Sequence, residues 1–260
     1  MAPVRIAVLT CDLPIPAVIR EFGDYLEIYT VWLRNSLKAG LGDTVDPDSH
    51  FIVHGYDVRA MQYPDLNEYD GVIITGSSAS AYDPLPWISK IVDFMSDCVQ
   101  SHPRITIVGI CFGHQIMARA LGGSAVPNND NWELGVYEVP LSKFGQEFFG
   151  VPTLNIQQVH RDHVPQLPPG SNIKLLGSTC LTPIQGFVLS RPDSSTQILT
   201  LQGHPEINSR IVQHIVDARG PNGSGVINAS TSRTALEKAT RLHDGVEIIG
   251  VKVLAILGVI

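Results

Sequence analysis

Apolar positions over residues 1–124 follow two periods in alternation. Residues 4–9 (VRIAVL), 51–53 and 71–75 (GVIIT) are short β-branched runs that predict strands, and 105–110 (ITIVGI) is apolar on both faces, as a central strand of a parallel sheet is. Between them, residues 23–39 place Tyr25, Ile28, Trp32, Leu33 and Leu37 at helical spacing. Residues 87–99 do the same with Ile88, Ile91, Val92, Met95 and Val99. A third helix is predicted over 114–121, closed by Gly122 and Gly123. The β-α alternation predicts an α/β fold, a largely parallel sheet sandwiched by helices. Beyond residue 124 the texture changes. Runs near 135–141, 153–159, 174–180, 184–190 and 197–201 are separated by Pro, Gly and Asn turns with little helix between them. They predict shorter strands, partly antiparallel, that extend the same sheet. Residues 219–230 (RGPNGSGVINAS) have the composition of a flexible loop, and helices near 231–242 and 244–257 are expected to close the chain. No repeat, low-complexity tract or linker divides it, so one domain over 1–260 is expected.

The 260 residues carry 18 Lys and Arg against 25 Asp and Glu, a formal charge of −7, and 44% are apolar. This composition supports a sizeable core and excludes a disordered chain. A net acidic chain without a Lys/Arg run is not built for nucleic acid or for an anionic membrane surface. The chain opens on a strand-like run rather than a basic stretch followed by a long apolar one, so no signal peptide is expected. The most apolar segment, 246–260, contains Glu247 and Lys252 and is too short to span a bilayer; it reads as buried helix. The four cysteines, at 11, 98, 111 and 180, include no CxxC pair. Neither a disulfide framework nor a zinc ribbon is expected, and a reducing, cytoplasmic location fits. Cys11, Cys98 and Cys180 fall in strand or helix runs and are expected in the core.

Cys111 stands apart. Gly109-Ile110-Cys111-Phe112-Gly113 spans the junction of a buried strand and a helix, the pattern of a nucleophile elbow. Such a sharp turn forces its central residue into a strained backbone conformation, and side chains two residues to either side would collide, hence the two glycines. The turn lifts the Cys111 sulfur above the C-terminal edge of the sheet, where open α/β sheets bind ligands, and aims the positive end of the next helix at it. A buried structural cysteine beside a tight turn is the plainer alternative; the paired glycines at this junction favour the nucleophile.

A thiol nucleophile needs a base, later an acid for the leaving amine, and a group to orient that base. Among nine histidines His204 is best placed, because Gln202-Gly203-His204-Pro205-Glu206 follows the predicted strand 197–201 and Glu206 can accept an imidazole N–H. On spacing alone, an exposed loop histidine beside an unrelated acid fits equally well. His160-Arg161-Asp162-His163 invites a zinc reading. A preceding strand and Pro165 disfavour convergence of the two rings, and HExxH is absent. A loop near the substrate is expected there instead, with Asp162 or His160 contacting an amino or carboxylate group. Trp32 and Trp87 are expected to pack, and Trp132, in an Asn-rich loop, is the candidate exception.

GICFGHQ at 109–115 together with QGHPE at 202–206 resembles the class I glutamine amidotransferase superfamily of the Cys-His-Glu type. The likeness runs in motif order over residues 4–206: first strand, Gly-Ser-Ser loop at 76–78, cysteine elbow, then His-x-Glu. The chain is most similar to the free-standing branch, which includes GMP-synthase-like single-domain proteins and γ-glutamyl peptidases. The shared features are Tyr82-Asp83 and Trp87-Ile88 after the Gly-Ser-Ser loop, Gly122-Gly123, and the segments 132–135 (WELG) and 158–163 (QVHRDH). The resemblance implies a flavodoxin-like sandwich with an antiparallel extension. It implies that Cys111 attacks a γ-glutamyl amide with His204 and Glu206 completing a triad, and that N–H groups of Phe112 and Gly76 form an oxyanion hole. It also implies that Gln115 and Ser77 contact a small γ-glutamyl substrate, and that no metal, nucleotide or organic cofactor takes part. The loop GSSASAYD departs from the shorter Gly-Pro-Gly loop of several synthetase-linked members. No SGGxDS or GxxxxGK[ST] motif occurs, and the stretch after Glu206 is too short for a synthetase domain, so ammonia released here would have no acceptor within this chain. The expected activity is hydrolysis of γ-glutamyl amide bonds in peptides, conjugates or glutamine, through a thioester on Cys111. Two other readings stay open: a glutaminase subunit that delivers ammonia to a separate synthetase, and a non-catalytic binding or regulatory module. Intact Cys111, His204 and Glu206 argue against the last.

Overall fold

Seven strands form the central sheet of the structure, a computed structural model in which residues 2–260 are described. In chain order the first elements are β1 (Val4–Thr10), α1 (Pro16–Phe22), α2 (Tyr25–Leu41), β2 (Phe51–Asp57), β3 (Gly71–Ile74), α3 (Pro86–Ser101), β4 (Thr106–Ile110) and α4 (Phe112–Ala120). They are followed by β5 (Val126–Pro127), β6 (Glu133–Pro140), α5 (Lys143–Phe149), β7 (Thr153–His160), β8 (Asp162–His163), β9 (Ile173–Gly177), β10 (Gly186–Ser190) and β11 (Thr196–Leu201). The chain closes with α6 (Ser209–Arg219), α7 (Ala229–Ala239), a π-helical turn over Gly245–Gly250 and α8 (Val251–Ile256). The sheet order is β2-β1-β3-β4-β11-β10-β9, parallel from β2 to β11, with β10 antiparallel to both of its neighbours.

The continuous apolar runs follow from burial on both faces. In β1, Ala7 and Leu9 point into one hydrophobic cluster with α3 and α4, whereas Ile6 and Val8 point into another with α2 and α8. Asp24 and Glu27 set the start of α2 through a reciprocal capping box: the Asp24 carboxylate accepts from the Glu27 N–H at 3.0 Å, and the Glu27 carboxylate from the Asp24 N–H at 2.9 Å. At the end of α4, Gly122 adopts φ 83° and the Gly123 N–H reaches back to the Ala118 carbonyl at 2.8 Å. This left-handed cap stops the helix where the two glycines predict.

Four features differ from the sequence reading. First, β6 and β7 do not extend the main sheet but pair with each other as a separate antiparallel ribbon, and β5 pairs with β8. The ribbon buries Val139, Leu154 and Ile156 against one cluster and Leu134 against another, so packing rather than edge pairing holds it. Second, α1, α5 and α6 are helices that the pattern left unassigned. Two of them have only seven residues, and α6 is half polar, with Gln213, His214 and Asp217 outside its buried positions. Third, the segment after α6 is irregular but tied down. Ile227 is fully buried, its N–H donates to the Arg219 carbonyl at 2.8 Å, and Ser224 and Gly225 donate back to Ala218 and Gly220. Fourth, Cys11 and Cys98 are buried as expected, whereas Cys180 lies exposed in a bend between β9 and β10. No helix among the described residues is long and apolar enough to cross a membrane.

Candidate active site

Sheet register assembles the site. Leu9 lies opposite Ile74, Ile74 opposite Gly109, and Ile110 opposite Leu201, so the segments that follow β1, β3, β4 and β11 emerge side by side at one edge. These segments carry Asp12, Gly76, Cys111 and His204. It is the C-terminal edge of the parallel strands, where a cleft opens above the sheet.

Cys111 turns from β4 into α4 with φ 52° and ψ −104°, a positive φ that few non-glycine residues adopt. Its N–H extends the ladder to the Leu201 carbonyl at 2.8 Å, and its carbonyl accepts the first helical bond from the Gln115 N–H at 3.1 Å. The flanking glycines have distinct reasons. A Cβ on Gly109 would stand 2.7 Å from the Gly113 carbonyl oxygen, across the elbow. One on Gly113 would stand 2.4 Å from the Ile74 carbonyl oxygen, on the neighbouring strand β3. The second glycine therefore lets α4 rest on the sheet. The N–H groups of Phe112 and Gly76 find no acceptor among the described residues.

His204 donates its backbone N–H to the Gln157 carbonyl at 2.7 Å, which fastens the segment after β11 to β7. Its Nδ1 lies 2.7 Å from a Glu206 carboxylate oxygen, leaving Nε2 for Cys111. A Cβ on Gly76 would stand 2.8 Å from His204 Cε1 and 3.8 Å from Cys111 Cβ, so loop, ring and thiol are in mutual contact only because residue 76 is glycine. Burial opposes the imidazolium, but the Glu206 carboxylate and the Cys111 sulfur outweigh it and hold the His204 pKa well above its ordinary value. The Glu206 carboxylate is fully buried and takes a second hydrogen bond, from the Tyr29 hydroxyl of α2 at 3.2 Å.

The structure thus brings Cys111, His204, Glu206, Gly76 and Phe112 to one place. Ser77 borders the cleft beside Cys111. Gln115 is buried, and its amide donates to the Asp162 carbonyl at 3.0 Å and to the Gln202 side-chain oxygen at 3.1 Å. Asp162 borders the cleft, its carboxylate accepting from the Ser80 hydroxyl at 2.6 Å and the Tyr82 hydroxyl at 3.2 Å. His160 corrects the sequence reading. Its Nδ1 meets the Asp162 carbonyl at 3.0 Å, and its Nε2 is buried 3.1 Å from the Glu133 carboxylate, so the ring is committed to the interior rather than to a substrate. Glu133 is fully buried and also accepts from Thr179, Thr182 and Gln185. Burial would raise its carboxyl, but His160 and the two threonines outweigh that and hold it below its ordinary value. No group of three or more His, Cys, Asp and Glu side chains among the described residues is arranged to hold a metal. Trp32 packs in the interior, Trp87 is half-buried against Phe112 at 5.4 Å between centroids, and Trp132 borders the cleft beneath Arg161.

Several site residues escaped the sequence reading. Asp12 accepts from the N–H and hydroxyl of Ser78 at 2.7 and 2.5 Å and faces Arg59 at 3.5 Å, which braces the loop that carries Gly76. The Gln202 amide lies 3.6 Å from the Cys111 sulfur; its place next to the His204 motif was the available signal. Tyr29 and Arg219 carry no local signal, since each is brought in by a helix remote in sequence. The Arg219 side chain borders the cleft and makes no hydrogen bond or ion pair among the described residues.

His114, the residue immediately before Gln115 on α4, is structural. It is fully buried, with Nδ1 2.8 Å from the Thr200 hydroxyl and its ring against Phe187. Burial, aided by nearby His160, pulls its pKa down to about 3. The unfolded chain takes up this proton near pH ~6.5, and the folded chain resists it. The stability contributed by the neutral ring is therefore complete above ~6.5 and lost as pH falls through ~6.5 towards 3. Denaturant midpoints at pH 7 and 5 are expected to differ less in His114→Gln than in wild type, by about 2 kcal/mol. Equal pH slopes would show that the native ring titrates as it does in the unfolded chain.

A family model described as glutamine amidotransferase class-I matches residues 46–216. A glutamine amidotransferase-like protein of Schizosaccharomyces pombe is 33% identical over 245 residues, covering 92% of this chain and 93% of the relative. Gamma-glutamyl peptidase 4 of Arabidopsis thaliana is 33% identical over 213 residues, covering 79% of this chain and 80% of the relative. Among solved structures, a glutamine amidotransferase of Thermotoga maritima superposes with a TM-score of 0.70 at 19% identity, covering 99% of each chain, a likeness of fold.

Proposed function

The chain belongs to the class-I glutamine amidotransferase family, and we propose on that premise that it hydrolyses γ-glutamyl amide bonds through a thioester on Cys111. The observation that carries this reading is the constellation at the sheet edge. A strained thiol stands beside an imidazole whose other nitrogen is held by a buried carboxylate, and two unclaimed backbone N–H groups flank the sulfur.

The Cys111 sulfur adds to the γ-carbonyl carbon, and the carbonyl oxygen becomes an oxyanion held by the N–H groups of Phe112 and Gly76. One such donor is worth about 3 kcal/mol in a dry site. The C–N bond then breaks as His204 gives its proton to the departing nitrogen, leaving a γ-glutamyl thioester. Water attacks that thioester while His204 takes the water proton. The C–S bond breaks, and glutamate leaves. Glu206 keeps the imidazole oriented and offsets its charge, with Tyr29 holding the carboxylate in place. No step calls on a metal, a nucleotide or a partner protein.

Support for the peptidase branch comes from the likeness to Gamma-glutamyl peptidase 4 and from the open cleft on the His204 side of the sulfur, which admits an amine larger than ammonia. The test is steady-state glutamate release by the purified chain alone. γ-Glutamyl dipeptides are expected to be cleaved with a higher kcat/KM than glutamine. Cleavage of glutamine only, or silence until a synthetase is added, overturns the reading.

A further inference from the structure

Two grooves of opposite chemistry meet over Cys111. One runs along His204 and is walled by Ile15, Val18, Ile28, Ile207, Ile211 and Ile215. The other runs past Phe112 and presents Ser80, Gln115, Arg161 and Asp162. Arg219 borders both.

The mechanism orders a substrate across them. His204 protonates the departing nitrogen, so that nitrogen must lie on the His204 side of the sulfur. The acyl half then occupies the polar groove and the amine half the apolar one. Within the apolar groove, Ile211, Ile215 and Arg219 recur every four residues on α6 and so share one face of the helix. The stripe runs from two aliphatic side chains to a cation. That cation is partly buried and unpaired, whereas Arg161 of the polar groove faces Asp130 at 3.6 Å. A guanidinium withdrawn from water without a carboxylate carries an electrostatic cost that an anionic ligand relieves.

Resting on the γ-glutamyl hydrolase reading, we propose that the amine half of the substrate is an apolar amino acid with a free carboxylate. The preferred substrates are γ-glutamyl dipeptides whose second residue is aliphatic or aromatic. Ile211 and Ile215 take that side chain and Arg219 takes its carboxylate. Glycine at the second position leaves the apolar wall uncovered, and an acidic or basic side chain there is desolvated without a partner.

The experiment compares kcat/KM of the purified full chain on γ-Glu-Leu, γ-Glu-Phe, γ-Glu-Gly, γ-Glu-Glu and γ-glutamyl isoamylamide, the last keeping the leucine side chain but lacking its carboxylate. γ-Glu-Leu and γ-Glu-Phe are expected to exceed γ-Glu-Gly and γ-Glu-Glu by about tenfold or more. γ-Glu-Leu is expected to exceed the isoamylamide by about tenfold to a hundredfold. Arg219→Gln should erase the second ratio and Ile215→Ser should shrink the first; both sites are only partly buried, so the variants fold. Equal kcat/KM across the amine series overturns this inference and leaves the hydrolase standing. A loss from Arg219→Gln that is uniform over all substrates moves Arg219 to the glutamyl half and overturns the carboxylate assignment. No cleavage of any γ-glutamyl amide overturns both readings together.

Discussion

Cys111→Gly and Cys111→Ala are expected to leave less than about one part in 10⁴ of wild-type γ-glutamyl hydrolysis, yet the glycine variant should be the more stable of the two. The loss of activity follows from removing the thiol beside His204, and among the described residues no other cysteine lines the cleft. The order of stability is the sharper test, because glycine ordinarily costs ~0.5–1 kcal/mol relative to alanine within regular structure. At φ 52° that order reverses. A Cβ in this region is strained by ~1–2 kcal/mol, a strain that alanine retains and glycine sheds. Denaturant midpoints of the two variants measure it, and a more stable alanine variant would show that the elbow is relaxed. A glutamine-like electrophile should label Cys111 alone. Burial pushes the Cys98 thiol up to about 12 and the Cys11 thiol higher still. Cys180 is exposed but lines neither groove beside Cys111. Peptide mapping that places the label on any of these three sinks the assignment.

His204→Ala should cost nearly as much as loss of Cys111, because the members of a triad act as a unit. Glu206→Gln should be milder, a fall in kcat of ~10²–10⁴, since an amide can still hold the ring but no longer offsets its charge. That loss should be accompanied by a lower apparent pKa in the pH–rate profile, because the carboxylate is the main influence raising His204 against burial. His160→Gln supplies the contrast. It unpairs a fully buried Glu133 and should appear as a loss of stability with kcat/KM comparatively spared. Equal or greater damage to turnover from changing His160 or His163 would mean that the wrong histidine was chosen.

The candidate site was legible in the sequence wherever its pattern was local. An elbow is local, because glycines at 109 and 113 bracket one cysteine at a strand–helix junction. Gln202 to Glu206 is local too, a turn that places His204 and Glu206, the proposed base and its orienting acid, two residues apart. The central strands were legible because a strand covered on both faces cannot hide its composition, and the cap of α4 because a left-handed residue there calls for glycine. What the tertiary structure decided depends on neighbours remote along the chain. Whether β6 and β7 joined the main sheet or formed a ribbon depended on which apolar cluster their side chains could fill, and the alternation of either strand is the same in both cases. His160 and Asp162 are two residues apart and looked alike as substrate contacts. Burial of Glu133 and its threonines beside one of them turned that ring into part of the scaffold. Tyr29 reaches Glu206, and Arg219 the cleft, only because α2 and α6 pack beside the sheet edge. A hydroxyl on a carboxylate 177 residues away, or an unpaired guanidinium at the border of a cleft, leaves no periodicity in a sequence, since such placements are set by how helices lie on a sheet.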